Sequence, residues 1–222
     1  YVVDHELMLT EQDYYMQHFY SIPWYIMVKF AKWDDILKIE KQKEELVYPR
    51  VIWHYARGMA YAAKNETDKA NAELDAIKVL EKDSVLVGRK FFNINEISKL
   101  VYIARYVLDG EIAFKNGELE KSIKLYKAAV KMEDSLKYNE PPDWFFSVRH
   151  LLGHVLLETG KYAEAEKVYL EDLQKLKKNG WALMGLYQSL KKQNKDLKAE
   201  KVKEQYDEAW QFAETELTSS VI

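Results

Sequence analysis

The sequence predicts an all-α superhelix of antiparallel helix pairs, four to five units long, closed by a C-terminal capping helix. Three observations predict it. Apolar residues recur at helical spacing along nearly the whole chain, interrupted by short turns rich in Gly, Asn and Asp. A glycine is followed twelve residues later by a small residue three times over: Gly58 by Ala70, Gly110 by Ser122, Gly153 by Ala165. Gly153 and Gly185 stand 32 residues apart, with Tyr169 between them. Small residues at fixed offsets let helices cross closely, and a period of this size marks a stacked array.

The first unit covers residues 12–45. Pro23 is placed to open a helix, where its missing N–H costs nothing, and Trp24, Ile26, Met27 and Phe30 form the apolar stripe. Lys32, Trp33 and Asp34 read as a tight turn, and a second helix is expected through WDDILKIEKQKEE. The second unit, 49–82, carries Gly58, Tyr61, Ala70, Leu74 and Ile77 at the shared offsets. Its turn places Asn65 in the left-handed conformation, as Gly160 is later, with Thr67 or Asp68 capping the helix that follows.

The third unit, 94–133, repeats the pattern with Gly110, Ala113, Gly117, Ser122, Tyr126 and Ala129. From Gly110 to Gly153 the step is 43 residues, and the surplus falls around KYNEPPDW. There Pro141 and Pro142 hold the chain extended. Asp143 is placed to cap a helix that Trp144 enters, and Glu140 is expected to pair with Arg149. The fourth and fifth units are 143–178 and 179–213. The last helix is broken near Asn194, with Leu197, Ala199, Val202, Tyr206, Ala209, Trp210 and Phe212 as its apolar positions and Lys and Glu on a solvated outer face. Residues 1–222 are read as one domain.

Composition narrows the function. With no Cys, disulfides, thiolate metal sites and Cys nucleophiles are excluded. The 33 Lys and Arg against 36 Asp and Glu leave a net charge of −3, too balanced for a whole-domain polyanion binder, so nucleic acid is not an expected partner. The longest apolar runs fall far short of the roughly 20 residues that span a bilayer, so no membrane partner is expected. The compartment stays open, with the cytoplasm slightly favoured. The chain opens on Tyr1 rather than Met, which suggests a C-terminal piece of something longer.

These offsets resemble the tetratricopeptide repeat, over residues 12–213. WHYARG at 53–58, YNEPPDW at 138–144, and EDL with NGW within 171–181 are further similar to segments of a poorly characterised bacterial family of such repeats, whose members usually carry more repeats upstream. The resemblance implies a right-handed superhelix. Its concave groove, lined mainly by the first helix of each pair, would hold an extended peptide or a partner helix, making the protein a non-enzymatic scaffold for a protein partner, without a cofactor. The groove positions, three before and one after each repeat glycine, are Tyr55 and Met59, Val107 and Glu111, His150 and His154, Ala182 and Leu186. Candidate partner-binding residues are Tyr55, Met59, Glu111, His150, His154 and Leu186 from these positions, together with Phe114 and Glu158. They do not form the Lys, Asn and Arg clamp with which chaperone-binding repeats hold a carboxylate.

Alternative chemistry has little to stand on. His150, His154 and Glu158 share a helix face and make a weak zinc or copper motif, although groove-lining is the better reading. His5-Glu6 begins a zincin pattern that fails at Leu9. His54 beside Arg57 reads as a buried histidine bonded to a neighbouring repeat. No P-loop, dinucleotide or nucleophile-elbow pattern is present, and no catalytic residue is assigned. The rival function is the C-terminal half of a larger enzyme or metal protein, with its reactive residues upstream. Six tryptophans spaced along the chain read as packing between repeats, and the lysines from 191 to 203 as a solvated face.

Overall fold

In the computed structural model, which describes residues 5–222, one kind of turn closes five helices in succession. These are α1 (Met16–Lys29), α3 (Val47–Ala63), α5 (Ile97–Lys115), α7 (Arg149–Glu158) and α9 (Gly180–Lys192). After each comes a residue with positive φ: Ala31, Asn65, Gly117, Gly160 and Asn194. The next N–H then reaches back five residues to a helix carbonyl, Lys32 to Met27 at 2.9 Å, Glu66 to Tyr61 at 2.9 Å, Glu118 to Ala113 at 2.8 Å, Lys161 to Leu156 at 2.9 Å and Lys195 to Leu190 at 3.0 Å. This is the Schellman arrangement, which satisfies orphan carbonyls and turns the chain sharply. The second helix of each pair starts at once: α2 (Trp33–Leu37), α4 (Thr67–Leu80), α6 (Leu119–Asp134), α8 (Tyr162–Lys175) and α10 (Asp196–Trp210). Asn65 and Gly160 are left-handed as expected. Neither Thr67 nor Asp68 caps α4, because its cap position falls on Glu66, directly after the left-handed residue.

The helices pack as an all-α repeat solenoid. α3, α5, α7 and α9 each pack on the helix that follows, and α1 on α3, α3 on α5 and α7 on α9 join the first helices. The array curls enough for the end of α1 to meet its distant part: the rings of Phe30 and Trp181 lie 6.2 Å apart.

The first unit differs most from expectation. Pro23 lies inside α1, and the carbonyl it leaves without an N–H belongs to the exposed residue Phe19. The buried face is Gln17, His18, Ser21, Trp24 and Tyr25, whereas Ile26 and Phe30 are exposed. Its polar members are bonded in part: Gln17 donates to the Met8 carbonyl at 2.8 Å, His18 Nδ1 meets the Tyr48 hydroxyl at 2.9 Å, and Ser21 donates to the Gln17 carbonyl at 2.8 Å, while Gln17 Oε1 and His18 Nε2 are buried without a partner among the described residues. A short hairpin, β1 (Lys90–Phe91) with β2 (Asn95–Glu96), supplies Phe91 to the same core, 4.9 Å from the His18 ring. α2 stops at Leu37 because KIEKQKEE offers no apolar stripe. Gln42 turns inward instead, accepting from the Tyr20 hydroxyl at 2.7 Å.

The surplus between the third and fourth units packs inward and buries Trp144. Asp143 anchors it, accepting from Asn95 at 2.7 Å and Asn139 at 2.9 Å; it caps no helix, since α7 begins five residues after Trp144. Glu140 accepts from the Tyr138 hydroxyl and does not pair with Arg149. Arg149 instead forks onto Asp134 at the end of α6, at 2.9 and 2.7 Å, because the start of α7 faces that helix end. In α10, Ala199, Val202 and Tyr206 are buried, while Leu197 lies about 200° around the helix from Ala199 and is exposed. Phe212 lies beyond the helix end and is also exposed.

Tyr169 explains both glycines of the 32-residue period. A Cβ on Gly153 would sit 2.3 Å from its Cζ, and one on Gly185 2.2 Å from the same atom. The ring, fully buried, is held between α7 and α9. Gly153→Ala should therefore lower unfolding stability by about 1–3 kcal/mol, the usual cost of overpacking. Urea titration checks this; an unchanged midpoint would mean that the ring has room to move.

Candidate functional site: an aromatic cleft between the first helices

A cavity of about 420 Å³, in the size range of ligand pockets, opens between α1, α3, α5 and α7. Each of these four helices contributes one stripe, since residues three and four apart share a face. Tyr25, Val28 and Lys29 come from α1, Tyr55 and Met59 from α3, Glu111, Phe114 and Lys115 from α5, and His150, Leu151 and His154 from α7. Trp33 and the inserted Trp144 and Phe146 add aromatic walls. Trp144 meets Tyr25 edge-on at 5.1 Å and Tyr55 at 5.6 Å, geometry that aromatic pairs favour.

Six of the eight candidate residues read from the sequence, Tyr55, Met59, Glu111, Phe114, His150 and His154, thus line one cleft. The other two do not. Leu186 is buried in helix packing, and Glu158 is exposed beside a shallow depression with Gly117 and Leu119. The groove stripe runs out there because α9 turns that position into the core.

The polar floor is a relay of three residues. His150 Nε2 lies 3.2 Å from Asp172 on α8, and its Nδ1 lies 3.2 Å from Lys29 Nζ. The lysine is a donor and the carboxylate an acceptor, so neutral His150 carries its proton on Nε2, donates to Asp172 and accepts from Lys29. Burial, reinforced by Lys29, holds the His150 imidazole below its usual range. Burial alone would raise the Asp172 carboxyl, but hydrogen bonds from His150 and Ser147 outweigh it and hold it low. Lys29 makes no ion pair within 4 Å among the described residues. Its ammonium stands 3.6 Å from the centroid of the Trp181 ring, and burial pushes its pKa down to about 7, with Asp172 opposing. An ammonium has three donors, and His150 takes only one.

Nearby, Glu111 accepts from the Tyr126 hydroxyl at 2.7 Å and faces Lys115 at 3.7 Å. His154 packs edge-on against Phe114 at 5.6 Å, and burial lowers its pKa against Glu158 and Glu111. Among the described residues no group of three His, Cys, Asp or Glu is placed to hold a metal, and both His150 nitrogens are already engaged. His54 bonds within its own helix pair rather than to a neighbouring repeat: Glu73 on α4 receives it at 2.5 Å and Arg57 at 2.8 Å. No described helix is long and apolar enough to cross a membrane.

Sequence reasoning missed Lys29, Trp144, and the segment after α10, of which Thr218, Ser219, Val221 and Ile222 line the cleft. One signal for Lys29 was available: it is the lone charge in the run PWYIMVKF.

Residues 146–171, covering α7 and most of α8, match the tetratricopeptide repeat family model. The chain therefore contains such a repeat, centred on the Gly153–Tyr169 crossing. No curated protein and no solved structure matches, and the narrower bacterial resemblance gains no support from these comparisons.

The Lys29 pKa, about 7 when folded, lies below its unfolded value of roughly 10.4, so the unfolded chain binds more protons between these limits. The Lys29 contribution to stability should therefore rise with pH from about 7 to 10. Lys29→Met lacks this contribution, so its stability relative to wild type should fall by up to about 1.4 kcal/mol per pH unit across that window. Denaturant titrations at pH 7, 8 and 9 measure it; a pH-independent difference would contradict the buried, unpaired state of the amine.

Proposed function

We propose that this protein is a non-enzymatic interaction module that takes an extended segment of a partner protein in the cleft between α1, α3, α5 and α7. Tetratricopeptide repeats generally mediate protein–protein interactions and are typically non-catalytic, which fits this reading. One observation carries it: four first helices and the inserted Trp144 converge on a single aromatic cleft, which irregular chain after α10 also lines through Thr218, Ser219, Val221 and Ile222. Aromatic walls supply apolar contact, while Lys29 offers unused donors to a carbonyl or carboxylate of the bound segment. A buried amine without a counter-ion costs stability, and such costs are retained where binding uses them.

Panning a random peptide library on the protein tests this. Selected peptides should lose at least tenfold in affinity on Phe114→Ala and on His154→Ala, and keep it on Glu158→Ala, which lies outside the cleft. Peptides indifferent to both cleft substitutions would contradict the reading.

A further inference from the structure

After α10 the chain runs without regular secondary structure from 211 to 222, and it is held by few bonds. Residues 211–214 are exposed. The Thr215 carbonyl accepts from Trp210 Nε1 at 2.5 Å, and the Thr218 carbonyl from Gln188 on α9 at 2.5 Å. Two side chains are buried: Leu217, 3% exposed, and Ser220, fully enclosed. The Ser220 hydroxyl accepts from the Tyr169 hydroxyl, 2.7 Å away, and donates to the His150 carbonyl at 2.9 Å. That socket offers one donor and one acceptor at close range, so it fits a small hydroxyl side chain. Beyond it, Val221 and Ile222 lie along the cleft wall.

The chain thus lays against the helices an irregular, bent segment whose two buried anchors, Leu217 and Ser220, stand three residues apart among exposed and half-buried neighbours. Every bond that holds it to the helices uses a side chain of the body or of the segment. No backbone N–H of 215–222 donates to a helix. Such attachment is local and separable from the helical array.

We infer that segment 215–222 is a displaceable occupant of the cleft, and that the partner segment which replaces it has the same chemistry: Leu, two intervening residues, then Ser or Thr followed by aliphatic residues. The inference rests on the cleft being the binding site. It adds the identity of the ligand class and an intrachain competitor, whose occupancy reduces the fraction of chains open to a partner.

The test uses the full chain and a fluorescein-labelled peptide, ETELTSSVI, copying residues 214–222. Ser220→Leu places a side chain too large for the socket and unseats the segment. It should bind the peptide at least tenfold more tightly than wild type, and the same peptide with Leu at the Ser220 position should not bind. Leu217→Asp, which releases the other anchor, should give the same gain. Equal peptide affinity in wild type and both variants overturns the inference, as does no binding by variants that circular dichroism shows to be folded. Loss of fold in both variants also overturns it, since the segment would then be part of the body. Sedimentation of the same samples addresses a second copy as occupant: a wild-type dimer converted to monomer by Ser220→Leu would overturn the partner reading in favour of exchanged segments. Library peptides that bind wild type and Ser220→Leu equally, at the cleft, would overturn the competitor while leaving the cleft as the binding site.

Discussion

The Tyr169 ring, gripped between Gly153 and Gly185, is the contact on which the distal half of the structure depends. Both glycines exist because a ring fills the space a Cβ would need. The same ring fixes the spacing of α7, α8 and α9, and its hydroxyl reaches through the array to Ser220. Packing and recognition are therefore joined at one residue: the aromatic face sets how closely the helices cross, and the polar tip sets what lies on the inner surface. Related close approaches recur at Gly110, where Tyr126 fills the gap, and at Gly58, where Leu108 does. At Gly110 the tyrosine hydroxyl donates to Glu111 of the cleft, so the same division between ring and tip appears one unit earlier.

Against this apolar regularity stand the polar groups of the inner face. His18 is buried with its pKa pushed down to about 4, its ring 5.6 Å from that of Phe145 and 4.9 Å from that of Phe91. The Lys29–His150–Asp172 relay joins α1 to the consecutive helices α7 and α8, with Lys29 and His150 121 residues apart. Burying each group costs free energy unless it is bonded: His18 bonds to Tyr48 on α3 and His150 to Asp172 on α8, while Lys29 bonds to His150, which the superhelical curl brings across. The curl and the polar floor thus support one another: without contact between α1 and α7, Lys29 would have no acceptor.

How much of this was legible in the sequence follows from which signals are local. Helix pairs and the turns after α3 and α7 were readable, since Asn65 and Gly160 declare left-handed turns and the glycine-to-small offsets declare close crossings, whereas the first turn falls on Ala31 and not on Lys32-Trp33-Asp34. Five cleft residues, Tyr55, Met59, Glu111, His150 and His154, followed from the same register. The buried face of α1 was not readable, because Gln17, His18 and Ser21 look like solvent-facing residues until their partners at Met8, Tyr48 and the Gln17 carbonyl are known. Trp144 and Lys29 reach the cleft through long-range folding of an insertion and through the curl, neither of which leaves a periodic trace. Residues 215–222 lie beyond the repeat pattern, and only the socket around Ser220 gives them a place.

The account's central claim is that Tyr169 holds the helices with its ring and the closing segment with its hydroxyl, as separable functions. Tyr169→Phe separates them. Because the chain has no Cys, a single Thr218→Cys substitution accepts a nitroxide at one exposed position. Its electron paramagnetic resonance spectrum reports whether the segment is seated. The account predicts a mobile label in Tyr169→Phe and an immobilised one with Tyr169 intact, with unfolding stability changed by only about 0.5–1.5 kcal/mol, the worth of one hydrogen bond. An equally immobile label in both proteins, or mobility gained only with collapse of the helical array, would contradict it.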